Sequence, residues 1–145
     1  MGNKHNNDID EILQNHGITP TPVRHMVYRS LQDSLNPISL LELEMHLETV
    51  DRSSISRTLT TFRNNHLVHA FNDGSGSVKY EICDANSHSI SDMHIHFHCT
   101  KCGVTKCLPS IKMPAVELPE GYLPENVNYV ISGICPECNK TKTNQ

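Results

Sequence analysis

Apolar residues recur at helical spacing through the first half of the chain. Ile9, Ile12 and Leu13 share one face of the segment Asp8 to His16, and Gly17 stops it. Thr21-Pro22 opens a second helix, with proline at the first position, where its missing N–H costs nothing. Val23, Val27, Tyr28 and Leu31 form its stripe, and Asn36-Pro37 breaks it. A third helix over Ser39 to Leu47 carries Leu40, Leu43 and Leu47. Asp51 caps a fourth that runs to about Asn65, with Ile55, Leu59 and Phe62 at i, i+4 and i+7.

The period then changes. Leu67-Val68 and Ala70-Phe71 precede the turn NDGSGS (Asn72 to Ser77), and Val78 to Ile82 follows it. A glycine-rich turn between two short β-prone runs predicts a hairpin, and helices followed by a small hairpin predict a winged helix-turn-helix. Residues 83–92, CDANSHSISD, are polar and read as a hinge. From Met93 onward short β-prone pieces alternate with breakers: Ile95 to Cys99, Val104 to Leu108 and Val127 to Ile134. The intervening stretch from Pro109 to Asn126 has four prolines in 18 residues and is a poor helix candidate.

Composition narrows the picture. A chain of 145 residues suits one average domain or two small ones. If two, they would hold roughly 80 and 60 residues, and the smaller would need a staple. Apolar residues make up 37% and Trp is absent, so the core is aliphatic and modest. The net charge of −4 argues against binding nucleic acid over the whole surface, but leaves room for a local basic face. No run reaches membrane-spanning length, and no signal-peptide core follows Met1, which predicts a soluble cytosolic protein. In that compartment six cysteines read as metal ligands or reactive thiols rather than disulfides.

The cysteine spacing is specific. Cys99-x-x-Cys102 and Cys135-x-x-Cys138 each place two thiolates close enough to chelate one ion. Two such knuckles complete the tetrahedral shell of a structural zinc. Gly103 suits the left-handed turn of the first. A redox pair would need to open a helix within a βαβ unit, and the flanks here are strand-like. Beside the first pair, His94 and His96 alternate along a strand and point to one side. They predict a second metal site, separate from the four cysteines and between the two halves. His98 falls on the same face, as a further ligand or as a support for the knuckle.

On the fourth helix, the side opposite the buried stripe carries Ser53, Ser56, Arg57, Thr60 and Asn64, with Arg52 and Arg63 on its flank. Residues 51–66 hold three Arg and one Asp, a local charge of +2 in an acidic chain. Arg reaches guanine or phosphate, and Ser, Thr and Asn reach either. The bland alternative is a solvated helix face; the wing directly after it favours double-stranded DNA. One recognition helix with modest charge calls for a homodimer reading two half-sites.

The whole pattern resembles the ferric-uptake-regulator superfamily of metal-dependent repressors. GITPTPVR is similar to its early helix-opening motif, with Arg24, and SSISRTLTTFRNNHLV to its recognition helix. KYEI resembles the end of the wing, HIHFHCTKCG the H-x-H-x-x-C-x-x-C-G signature, and GICPEC the closing pair. The resemblance implies an α+β fold. A winged-helix DNA-binding domain spans residues 1–82, a hinge 83–92, and a small α/β dimerisation domain with a four-cysteine structural zinc 93–145. It also implies a regulatory metal at the hinge, with Glu81, His94, His96 and Cys107 at ligand positions. Cys83 and His88 are alternates.

Four departures stand out, the first being that the proline-rich stretch 109–124 replaces the family's dimerisation-domain helix. Cys107 falls where iron and peroxide sensors of the family have a carboxylate. Asn36 replaces a ligand histidine. Ser56 replaces the aromatic residue usual before the recognition-helix arginine. A thiolate in place of a hard oxygen favours zinc over iron, and so a repressor of metal-uptake genes in the cytoplasm. The rivals are a peroxide sensor using oxidisable Cys83 or Cys107, and a zinc-ribbon module that binds protein or buffers metal. An enzyme is the weakest reading, since no general base is spaced as in known motifs.

Overall fold

The computed structural model describes residues 4–82, 95–108, 110–125 and 127–140, with side chains from residue 8 onward. Cys83, His88 and His94 lie outside the described residues. Two compact units are formed. One holds the chain up to Phe71 and from Val78 to Ile82; the other holds Asn72–Ser77 and the described residues from Ile95 on.

The first unit contains helices α1 (Lys4–Asn15), α2 (Pro22–Asp33), α3 (Leu40–His46) and α4 (Arg52–Asn64). Its strands are β1 (Ile38–Ser39), β2 (Val68–Asn72) and β3 (Val78–Ile82), ordered β1-β3-β2. Helices α2, α3 and α4 start where their capping chemistry dictates. The Thr21 hydroxyl accepts the Arg24 N–H at 3.3 Å, with Pro22 in the first turn. Asp51 accepts the Ser54 N–H at 2.9 Å. At α3 the Ser39 hydroxyl accepts the Glu42 N–H, and the Ser39 N–H donates back to Glu42 Oε2 at 2.6 Å, closing a capping box. Lys79 Nζ joins the same carboxylate at 3.3 Å, from the β3 residue paired with Ser39.

Two helices end alike. Behind α1, Gly17 has φ +72°; behind α4, His66 has φ +58°. In both, the next amide reaches back to a carbonyl inside the helix end: Ile18 to Leu13 at 2.9 Å, Leu67 to Phe62 at 2.8 Å. This is the Schellman arrangement, and glycine adopts it more cheaply than histidine. The two ends also meet, His16 Nδ1 lying 3.0 Å from the Asn65 carbonyl.

Ile9, Leu13, Val27, Leu31, Leu43, Ile55, Leu59 and Phe62 are buried together with the apolar start of β2. Tyr28 meets Phe62 edge-on, with ring centres 6.5 Å apart. The expected helix stripes are therefore the core. Helix α1 begins at Lys4, earlier than its apolar pattern alone implied, and β1 was not expected. Two residues carry no period; β1 exists only because β3 pairs with it.

The second unit is a sheet ordered β5-β4-β6, from β4 (Ile95–Cys99), β5 (Thr105–Leu108) and β6 (Tyr129–Gly133). β4 runs antiparallel to β5, with His96 opposite Cys107 and His98 opposite Thr105. It runs parallel to β6, placing Cys99 beside Gly133. A β-carbon on Gly133 would sit 3.1 Å from Phe97 Cζ, so glycine gives the ring its room. No helix or strand forms over the described part of the proline-rich stretch. After Cys135 comes a short helix, α5 (Pro136–Lys140). Its strand-like reading is corrected here: Pro136 sits at the first helical position, and the Asn139 N–H bonds the Cys135 carbonyl at 2.9 Å. Among the described residues of this unit the buried apolar side chains are Ile95, Cys99 and Cys135.

Candidate metal centres and nucleic-acid face

The two C-x-x-C knuckles converge. Cys99 ends β4 and Cys102 lies in the turn to β5, where Gly103 has φ +79°. The turn is held by Gly103 N–H to the Cys99 carbonyl and Cys99 N–H to the Val104 carbonyl, both 2.9 Å. Cys135 follows β6 and Cys138 lies in α5. The Thr100 N–H bonds the Gly133 carbonyl at 2.8 Å, and the Cys135 N–H points at Cys99 Sγ at 3.4 Å. All four sulfurs lie within 4.8 Å of one another. Cys102 Sγ and Cys135 Sγ are 3.9 Å apart, too far for a disulfide. Zn–S bonds of about 2.3 Å at tetrahedral angles give edges of roughly 3.8 Å, so the donor set fits zinc in both chemistry and spacing.

The thiols are primed unequally. The Cys102 N–H, then the Cys135 N–H, pull the Cys99 thiol down to about 6. Hydrogen bonding with Cys135, burial and the other sulfurs push Cys138 up to about 12. Four clustered thiols resist shedding all their protons together, and a dication removes that obstacle. One of the two pairs does open a helical turn, as a redox pair would, but its sulfurs face a second pair rather than a substrate.

On the next part of the same sheet, His96 is buried on β4 and Cys107 faces it from β5, their ligand atoms within 4.8 Å. Glu81 lies on β3 of the first unit. Imidazole and thiolate suit zinc well.

His98 is buried beside this pair and bonds protein rather than standing open. Its Nδ1 lies 3.0 Å from Thr105 Oγ1, and the Thr105 hydroxyl donates to Asp73 Oδ2 at 2.5 Å. Asp73, in the turn Asn72–Ser77, is wholly buried. Its Oδ1 accepts the Ser75 N–H at 2.9 Å and the Ser75 hydroxyl at 2.5 Å. Burial alone would raise its pKa. The Ser75 hydroxyl, the Thr105 hydroxyl, the Ser75 N–H and the neighbouring His98 ring outweigh it, and the carboxyl lies below its ordinary value. Sequence reasoning missed Asp73. The Asn-Asp-Gly run marks a turn, but nothing local shows that the aspartate faces inward.

Helix α4 buries Ile55, Thr58, Leu59 and Phe62. Arg52, Ser53, Arg57, Thr60 and Arg63 line its other side, with Ser56 half-buried among them. A shallow hollow of about 540 Å³ is lined by Leu40, Arg52, Ser53, Ser56 and Arg57. Arg52 Nη1 bonds Glu44 Oε2 at 2.8 Å, so part of its charge is already balanced. Arg57 Nε donates to the Ser53 carbonyl at 3.3 Å, leaving the rest of its guanidinium outward. Among the described residues no helix is long and apolar enough to cross a membrane.

A family model described as the ferric uptake regulator family matches residues 15–128. No curated protein matches the sequence. Among solved structures the chain is similar to the Vibrio cholerae ferric uptake regulator, at 20% identity and a TM-score of 0.61, over 87% of this chain and 98% of that one. It is similar to a zinc uptake regulator complexed with zinc and DNA, at 20% identity and a TM-score of 0.63, over 94% of each chain. It is also similar to holo XcZur, at 18% identity and a TM-score of 0.64, over 96% and 99% of the two chains. At these identities the likeness is one of fold.

Proposed function

Since the chain belongs to the ferric uptake regulator family of metal-responsive transcriptional regulators, we propose that it is a cytoplasmic repressor of zinc-uptake genes. It binds double-stranded operator DNA as a homodimer. The observation that carries this reading is the presence of two separate donor sets on and beside one small sheet. One is the four-sulfur cluster of Cys99, Cys102, Cys135 and Cys138; the other is the His96–Cys107 pair. The first is assigned to structural zinc. The second is assigned to the exchangeable regulatory ion, with His94 and Glu81 completing the set and Cys83 and His88 as alternates. Cys107 supports zinc over iron, because a thiolate stands where iron sensors of the family hold a carboxylate. A solved relative captured with both zinc and DNA supports the pairing of these two ligands.

A regulatory ion would be held by His96 and Cys107 with the further ligands named above, and would lend its binding free energy to the chain conformation that presents them together. The ligand residues favour those arrangements of the chain in which all of them reach one point, and the population shifts accordingly. Recognition falls to α4: Arg57, Ser53, Ser56 and Thr60 face the groove, while Arg52 and Arg63 contact phosphates. Metal content per chain and operator affinity, measured on wild type and His96→Ala, test the proposal. Wild type holds two zinc ions; the variant holds one, stays folded and binds operator weakly. Operator affinity that ignores the second ion while the sulfur-bound zinc remains in place overturns it.

A further inference from the structure

The Asp73 carboxylate plays no part in the proposed function, yet it is the only acidic side chain buried completely among the described residues. An ionised carboxylate without partners in such a place costs several kcal/mol, so its contacts decide whether it persists. The Ser75 N–H and hydroxyl satisfy Oδ1 within the turn itself. Oδ2 is committed elsewhere, to the Thr105 hydroxyl on β5 at 2.5 Å, with His98 Nδ1 at 3.5 Å.

A hydroxyl has one proton. Thr105 gives it to Asp73, so the Thr105 oxygen accepts from His98 Nδ1–H. The order Asp73, Thr105, His98 thereby fixes both the tautomer and the orientation of the imidazole. His98 and Thr105 face each other across β4 and β5, as do His96 and Cys107. The two pairs are two rungs apart, with Phe97 and Lys106 between them, and residues two apart on a strand share a face. Holding one rung sets the spacing and twist of the other.

We propose that Asp73 is a positioning residue for the regulatory metal. Through Thr105 and His98 it holds β4 and β5 so that His96 and Cys107 present their donor atoms together. The inference rests on the assignment of a second ion to His96 and Cys107. Groups outside a ligand shell that orient it typically govern metal affinity by about 10–100-fold.

The test is a titration of the full, reduced chain with Co²⁺ after the four-sulfur cluster has been filled with Zn²⁺. Absorbance follows the thiolate-to-cobalt band of Cys107 and the ligand-field bands. Asp73→Asn and Thr105→Val should each weaken the second equivalent about tenfold or more. Thr105→Ser, which keeps the hydroxyl, should return it to within about threefold of wild type. The sulfur-bound zinc should stay at one equivalent throughout, with unchanged circular dichroism. Wild type binding cobalt while Asp73→Asn and Thr105→Val bind it equally well overturns the inference alone. Wild type taking up no second ion overturns it together with the regulatory-site reading. Parallel loss of both metals in the variants marks a folding defect and also overturns it.

Discussion

Stripping the zinc should unfold the second unit and spare the first. The magnitudes come from what each unit buries. In the first, helices α1 to α4 close over a shared core that includes Leu13, Leu43, Ile55, Leu59 and Phe62, each almost fully buried. In the second, the described apolar core outside the cysteines is Ile95. Complete burial of one such side chain contributes about 1.5–3 kcal/mol. Ordering each strand residue costs about 1–2 kcal/mol in backbone entropy. A structural zinc contributes on the order of 10–16 kcal/mol, so the ion dominates the balance. The assay is amide hydrogen exchange read by mass spectrometry, on reduced protein before and after a strong chelator. Native mass confirms zinc loss. The amides of Cys99 and Thr100, bonded to Val104 and Gly133, and those of β4 to β6 should lose protection, while α2 and α4 keep theirs. Persistent protection of β4 to β6 in fully zinc-free protein would refute the reasoning.

Other perturbations act on single contacts. His66→Gly relieves a left-handed residue behind α4 and should stabilise the chain by about 1 kcal/mol, read as a higher urea midpoint. Glu42 lies below its ordinary pKa: burial opposes ionisation, but the Ser39 N–H and hydroxyl and the Lys79 charge outweigh it. Its folded value is below its unfolded one. Its contribution is therefore full above the usual carboxylate range and is lost as pH falls through the folded value. Glu42→Gln should flatten that acid limb, from the usual carboxylate range downward, in urea titrations run across pH. Arg57→Ala should cost about 1–3 kcal/mol of operator binding and relax base preference. Arg63→Ala should weaken all duplexes alike and reduce the log–log salt slope by about 1, both measured by fluorescence anisotropy.

What the sequence made legible was whatever a few neighbouring residues decide. The α2 start at Thr21-Pro22, the Asp51 cap and the Ile55–Leu59–Phe62 stripe are local facts, and the fold follows them. The cysteine knuckles were legible for the same reason: each pair is four residues of chain. Partners distant in sequence were not. β1 needs β3, Gly133 needs the Phe97 ring, and Asp73 needs Thr105 and His98, none of which leaves a periodic trace. The five-residue α5 escaped because the valine- and isoleucine-rich run before it outweighs one proline in any window average. Of the expected regulatory ligands, His96 and Cys107 proved to be cross-strand partners. His94, Cys83 and His88 fall outside the described residues.

The parallel pairing of β4 with β6 also dictates when this molecule is finished. The Cys135 amide meets the Cys99 sulfur across 36 positions of chain, and the strand that delivers it is the last among the described residues. On the ribosome the helical half emerges first, and the residues of its core, Ile9 to Ile82, all precede β4. The first knuckle must wait for its partner sulfurs until β6 and the second knuckle have been made. The four-sulfur site is thus completed late in biosynthesis, and a chain cut short before Cys135 never completes it.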